Sequence, residues 1–389
     1  MRFRLGPGTK DRMTDPTRNR AWIDVDLAAL RRNFEVVRRS VGPRAAVLPM
    51  VKADAYGVGV RAVVGALEPL GPAGYGVATA AEGIELRRLG IEREIIVCCP
   101  LAPDDVERAA AHGLTATISD LDEMGRWVDA GETIPGLSFH VAIDTGMGRA
   151  GFDWRESQQW SPEIVSMAGE TVRWTGVFTH FHSADSADRA ATATQWARFQ
   201  DALAQLPVSR EQLVVHAAAS AAAIRWPEFA ADLVRPGIFL YGGKPAEPGV
   251  ACPVPEPVVA VHARIVLVRD VPPGNTVGYG ATYLSRGWER WATVAMGYGD
   301  GLPRCLGNRG QMLVHGRRVP IIGRISMDMT VVDITGLGDV APGDVATLIG
   351  RSGGESITVD EVAETAGTIS YEILTGFTPR LPRLERESE

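Results

Sequence analysis

Cysteine is scarce, with four residues in 389, and Cys98, Cys99, Cys252 and Cys305 fit neither paired zinc-ligand spacing nor a disulfide framework. Reduced, mostly buried thiols are expected, as in a cytoplasmic protein. Histidine is sparse as well: seven are present, none in a His-Glu-x-x-His arrangement, so no metal site is expected. No apolar run approaches the roughly 18 residues that a membrane-spanning helix needs. The first twenty residues, MRFRLGPGTKDRMTDPTRNR, are basic and polar and lack the apolar middle of a secretory signal. They read as a flexible leader, with Met13 as an alternative start. Charge of one sign is nowhere concentrated: 40 basic and 47 acidic residues give a net charge of -7 with no long block. That excludes an electrostatic case for nucleic acid or a membrane surface and leaves small molecules as the expected partners.

What is present is alternation. Between residues 21 and 250, eight short β-branched or apolar runs (AAVLPMV, YGVAT, EIIVCC, TATIS, LSFHVAI, WTGVFTHF, QLVVHAA, DLVRPGI) are separated by amphipathic stretches. TATQWARFQDALAQL is the clearest of these, with Trp196, Phe199, Leu203 and Leu206 on one expected stripe. Eight strand–helix units predict parallel strands closed into a (β/α)8 TIM-like barrel, with an open doubly wound sheet as the alternative. KPAEPGVACPVPEP, with five prolines, marks the boundary. From 251 to 389 strand follows strand, so a mainly β C-terminal domain is expected. One helix, VDEVAETAG, is expected there, capped by Thr358 with Glu361 completing a capping box, and the charged tail RLPRLERESE is expected to fray.

Catalytic residues of a (β/α)8 barrel sit at the C-terminal ends of its strands. Lys52, in VLPMVKADAYGVG, stands where the first apolar run stops. On the residues alone it fits a snorkelling surface amine as well as a working one.

VKADAYG at 51–57 resembles the cofactor-attachment motif of the alanine racemase family, and DTGMGRAGF, FTHFHSAD, LVRPGIFLYG, VGYGATY, MGYGDG, GRISMDM and TISYE follow in that family's order, over about residues 21–380. The resemblance implies a barrel followed by a β domain and a pyridoxal 5'-phosphate-dependent enzyme that interconverts L- and D-alanine and supplies D-alanine for peptidoglycan. It assigns Lys52 to cofactor attachment and, with Tyr279, to proton transfer on opposite faces of the substrate. A tyrosine of ordinary pKa near 10 needs nearby positive charge or donors for that work. Arg235 is expected to face the pyridine nitrogen and His180 to stack beneath the ring. Tyr56, Ser220, Gly237, Ile238 and Tyr371 are expected to hold the phosphate. Arg149 and the backbone at Met327 are expected to hold the substrate carboxylate, while Tyr298 and Arg304 line the entrance. A homodimer with an active site shared between subunits is implied as well.

Read without the resemblance, each of these residues has a plainer role: Tyr279 as a turn aromatic, Arg149 as a loop ion pair with Asp144 or Asp153, His180 as a core histidine. The match also breaks in places. Ala142 stands where the family usually carries a carbamylated lysine that steadies the substrate arginine. Ala219, Val58 and Met329 replace a usual asparagine, histidine and glutamine. These departures bear on substrate, so a serine or broad-specificity amino-acid racemase is the near alternative. A pyridoxal-phosphate-dependent decarboxylase of similar plan is the farther one.

Overall fold

The computed structural model describes residues 20–388. The expected leader, residues 1–20, therefore lies outside the described residues except for Arg20, and Met13 lies outside them too. The described residues divide into two compact units: Asp26–Val258 with Glu385–Ser388, and Val259–Leu384 with Arg20–Val25.

This division departs from the expected boundary in one respect. Strand β1 (Ala21–Asp26) does not belong to the barrel; its Ala21–Val25 stretch pairs antiparallel with Val259–Ala263. Asp26 ends it and caps the helix Leu27–Val41 by accepting the Ala29 N–H, so the barrel unit opens on a helix.

All eight expected barrel strands form: β2 (Ala46–Val47), β3 (Gly74–Val77), β4 (Glu94–Pro100), β5 (Thr115–Ile118), β6 (Ser138–Asp144), then, after the two-residue β7 (Phe152–Asp153), β8 (Arg173–Phe178), β9 (Val214–Ala219) and β10 (Leu233–Arg235). They lie in the order β2-β10-β9-β8-β6-β5-β4-β3, and a parallel bridge from Met50 to Gly76 joins the two ends. The closed ring satisfies backbone that an open sheet would leave unpaired. At that seam Gly76 leaves room for the Met50 side chain, whose Sδ would otherwise lie 2.3 Å from a Cβ there and have to shift.

The helix Ala190–Leu203 is rotated from the expected stripe. It buries Thr192, Gln195, Phe199 and Ala202, leaving Trp196 half-buried. Strand β8 ends at Phe178, so His180 and His182 stand in the loop beyond it.

In the second unit, β11 (Val259–Val271) pairs with β1, with β14 (Glu289–Val294) and with β18 (Val345–Ser352), and β15 (Gln311–Val314), β16 (Arg317–Ile322) and β17 (Thr330–Asp333) complete the circuit. The helix Val359–Ala366 is capped by Thr358, but Glu361 gives its carboxylate to Arg318 and not to the cap, so only half of the expected box exists. A second short helix, Ser370–Gly376, was not expected. Nor does the tail fray: β20 (Arg383–Arg386) is an edge strand beside β1. Among the described residues no helix is long and apolar enough to cross a membrane, and no cluster of metal-ligating side chains occurs.

Candidate active site

The backbone leading to Lys52 is pinned from both sides of the barrel seam: Met50 N–H donates to Pro236 O at 2.9 Å and Val51 N–H to Gly76 O at 2.9 Å. Beyond Lys52 the chain turns left-handed. Ala53, Asp54, Ala55 and Tyr56 have φ of 53°, 53°, 52° and 58°. Each such residue costs about 1–2 kcal/mol, so the run persists only where neighbours over-determine it. They do: Gly57 N–H donates to Ala53 O (2.8 Å), Gly59 N–H to Asp54 O (2.9 Å), and Val60 N–H to Asp54 Oδ1 (2.7 Å). Half-buried Lys52 thus sits on a rigid corner, and its amine has no hydrogen bond or ion pair among the described residues.

The barrel interior carries a cation. Arg235, 4% exposed, donates to His216 Nδ1 (2.5 Å), to Thr179 O (2.9 Å) and to Ala217 O (3.2 Å). Burial lowers its pKa only to about 10, so it stays charged at neutral pH. A guanidinium can only donate, so His216 Nδ1 accepts, and the His216 proton lies on Nε2, 2.8 Å from His140 Nδ1. His140 in turn carries its proton on Nε2. Both rings are held neutral by burial first and by Arg235 second: His140 is pushed down to about 3 and His216 well below its ordinary range. Gly176 makes room for this, because a Cβ there would meet His140 Cε1 at 2.4 Å.

Burial, then Arg235, Arg149 and Lys52, also depress the pKa of His180. Those interactions put three cations and one neutral imidazole at the same mouth, an environment suited to an anionic ligand. Exposed Arg149 has no ion pair among the described residues. Asp144 is taken by the Gly146 and Gly148 amides and Asp153 by Arg155, so the loop-salt-bridge reading fails. Ala142 is buried and offers Arg149 no side-chain acceptor.

The expected phosphate residues of this unit also converge. Ser220 Oγ accepts the Gly237 N–H at 2.8 Å and the Phe239 N–H at 3.4 Å. With its lone pairs so occupied, the hydroxyl has its proton left to give an anion. The Tyr56 hydroxyl borders the same place, since a Cβ on Gly237 would lie 2.1 Å from it, and its ring is held by stacking on Tyr241 at 4.7 Å. Ile238 lies buried beside them. A hydroxyl donor, a phenol and a backbone approach that only glycine permits suit a phosphate ester, and the Lys52 amine suits an aldehyde.

Tyr279, Met327 and Tyr371 lie in the β unit. Tyr279, between Gly278 and Gly280 at φ 73° each, is 66% exposed, Met327 52% and Tyr371 36%. Met327 O accepts the Gly299 N–H and Ser326 O the Tyr298 N–H, which ties MGYGDG to GRISMDM.

Profiles of the alanine racemase N-terminal and C-terminal domains match residues 25–245 and 258–385. The chain belongs to the alanine racemase family. Its similarity to individual alanine racemases runs nearly end to end. It is 37% identical to that of Halothermothrix orenii over 376 residues, 96% of this chain and 97% of that one. The alanine racemase of Bacillus anthracis, solved with bound L-Ala-P, superposes with a TM-score of 0.87 at 32% identity, covering 95% of each chain. That of Bartonella henselae, solved with covalently bound pyridoxal phosphate, gives 0.85 at 30%, covering 94% of this chain and 99% of that one. Membership makes the chain an isomerase with the barrel and β domain expected from its sequence.

Three polar residues of this alanine racemase fold escaped sequence reasoning. His140 and His216 were hidden in apolar strands, where an inward polar side chain is the one available signal. Gln195 was hidden in a helix; its spacing from Thr192, Phe199 and Ala202 marks it as inward-facing. Its amide joins His182 N, His180 O and Thr145 Oγ1, and so links the loops after β6 and β8.

Proposed function

We propose that the chain is a pyridoxal 5'-phosphate-dependent alanine racemase working by two bases, Lys52 and Tyr279, as a homodimer in the cytoplasm, where it supplies D-alanine for peptidoglycan. The observation that carries the reading is the Lys52 amine, which has no hydrogen bond or ion pair among the described residues, stands on the left-handed corner that also carries Tyr56 of the Ser220–Gly237 cup, and acts with Arg235 on the His180 imidazole. When bound, pyridoxal 5'-phosphate supplies the electron sink for the charge left at Cα.

The chain's own residues do the rest. Lys52 holds the cofactor covalently and moves a proton at Cα from one side, and the Tyr279 phenol moves one from the other. Ser220, Tyr56, Tyr371 and the amides at Gly237 and Ile238 hold the phosphate. Arg235, immobilised by three partners, would present a permanent cation to the pyridine nitrogen. His180, kept neutral by burial first and by its cationic neighbours second, would meet the ring without adding charge. Arg149 and the Met327 amide hold the substrate carboxylate, for which a guanidinium fork is well shaped. Exposed Tyr279, Tyr298, Met327 and Tyr371 support coverage by a second subunit, and four free cysteines support a reducing compartment.

The test uses purified protein loaded with the cofactor. Borohydride should fix the cofactor's mass on Lys52, and solvent deuterium should enter Cα of L- and D-alanine much faster than that of L-serine. Equal or faster entry into L-serine would favour a serine or broad racemase, and no entry into any of them would reject the racemase reading.

A further inference from the structure

Glu82, on the helix Ala80–Arg88, is bound in an unusual way. Thr79 Oγ1 accepts the Glu82 N–H and Glu82 Oε2 accepts the Thr79 N–H (3.2 Å), as in an ordinary capping box. Oε2 also accepts the Ala78 N–H (2.8 Å), and Oε1 turns away from the helix to accept the Ala53 N–H at 2.6 Å, 29 residues earlier in the chain. One carboxylate therefore clips two successive strand-to-helix loops together. Every group aimed at it is a backbone N–H, so the position requires an acceptor with no donor of its own. Glutamine, of the same shape, would turn its NH2 onto an amide hydrogen.

The clipped amide belongs to the peptide that joins Lys52 to the first left-handed residue. Upstream, Lys52 is fixed through Met50 and Val51; downstream, its own peptide N–H partner is this one, while Ala55 N–H to Val51 O (2.9 Å) closes the turn around it and the Asp54 contacts act farther on, at Gly59 and Val60. The amine itself is held by nothing described. We infer that Glu82 is a positioning residue for Lys52, acting through the Ala53 amide to set the direction in which the lysine leaves the barrel mouth. This rests on the proposed role of Lys52; the competing account is that Glu82 merely caps its helix.

Glu82→Gln and Thr79→Ala separate the two accounts, since Thr79→Ala damages the cap and leaves Ala53 alone. In the holoenzyme, Glu82→Gln should lower kcat for L-alanine by up to about 100-fold, the scale of an ångström's misplacement, with KM within about twofold and Thr79→Ala near wild type in both. In the cofactor-free protein, Glu82→Gln should speed hydrogen exchange at the Ala53 amide by about tenfold or more, with Thr79→Ala again unchanged. A kcat loss no larger than that of Thr79→Ala, or unchanged Ala53 exchange, overturns the inference. Should Glu82→Gln not fold, the wild-type protein decides: the Ala53 amide proton should resonate well downfield, as a short charge-assisted bond requires, and an ordinary shift overturns the clip. The Ala53 readouts do not need activity, so an inactive wild type would refute the proposed function without deciding on Glu82, whereas an ordinary Ala53 amide in an active enzyme would refute the clip alone.

Discussion

Arg235 governs the chemistry of the barrel interior because it cannot give up its charge and its contacts are fixed. Its donation to His216 forces one tautomer there and, through it, one on His140, so two buried imidazoles are neutral in the fold and free to charge when unfolded. Their folded pKa values lie below the ordinary 6.5, His140 at about 3 and His216 well below its usual range, in both cases through burial first and Arg235 second. Between pH 6.5 and about 3 the unfolded chain therefore binds more protons. The stability these groups contribute is complete above 6.5 and is lost as pH falls, at about 1.4 kcal/mol per pH unit for each histidine. Denaturant titrations of the cofactor-free protein across that range should show stability falling toward acid by at least the two-proton slope; a flat profile would mean the histidines are charged in the fold. Lys52, Tyr56 and Arg235 stood out as candidates because VKADAYG and LVRPGIFLYG resemble family motifs, and the structure brings Tyr56 beside Gly237 of the second. Glu82 did not, because a capping box predicts a helix start and says nothing about a second oxygen reaching another loop.

Elements were legible where burial on one face writes a pattern, and illegible where a partner distant in sequence decides. The eight barrel strands formed as expected because each is an apolar run between amphipathic helices. AWIDVD reads as a strand equally well, but nothing local indicates that it pairs with β11, so its unit was misassigned. The tail is charged, which suits an edge strand as well as a frayed end. The left-handed turn of Ala53–Tyr56 has no sequence signature, since alanine gives no sign of φ above zero. In the β unit, MGYGDG is held by Asp300, fully buried, which accepts both Arg20 NH1 (2.6 Å) and NH2 (2.9 Å), receives the Gly297 N–H (2.9 Å) and pairs with Arg380 Nε (3.4 Å). Asp300→Ala would strand these donors. A loss of about 3 kcal/mol is expected in urea unfolding, together with a raised KM for alanine as Tyr298 and Met327 loosen; unchanged stability would show that the arginines find other acceptors.

For the whole molecule, both proposed bases are present in one chain, and the proposed homodimer takes Lys52 from one subunit and Tyr279 from the other. Lys52→Ala and Tyr279→Phe proteins, each nearly inactive alone, should then complement when refolded together. Half of the dimers are mixed and one site in each is intact, so about a quarter of wild-type activity should return. No recovery would place both bases of a site on the same chain. The two-base assignment itself is tested most directly by the Tyr279→Phe holoenzyme in deuterium oxide, with α-proton exchange followed separately for L- and D-alanine. Loss of the phenol should slow exchange of L-alanine by about 100-fold or more while D-alanine, served by Lys52, exchanges near the wild-type rate. Equal effects on the two enantiomers, or none on either, would contradict the account.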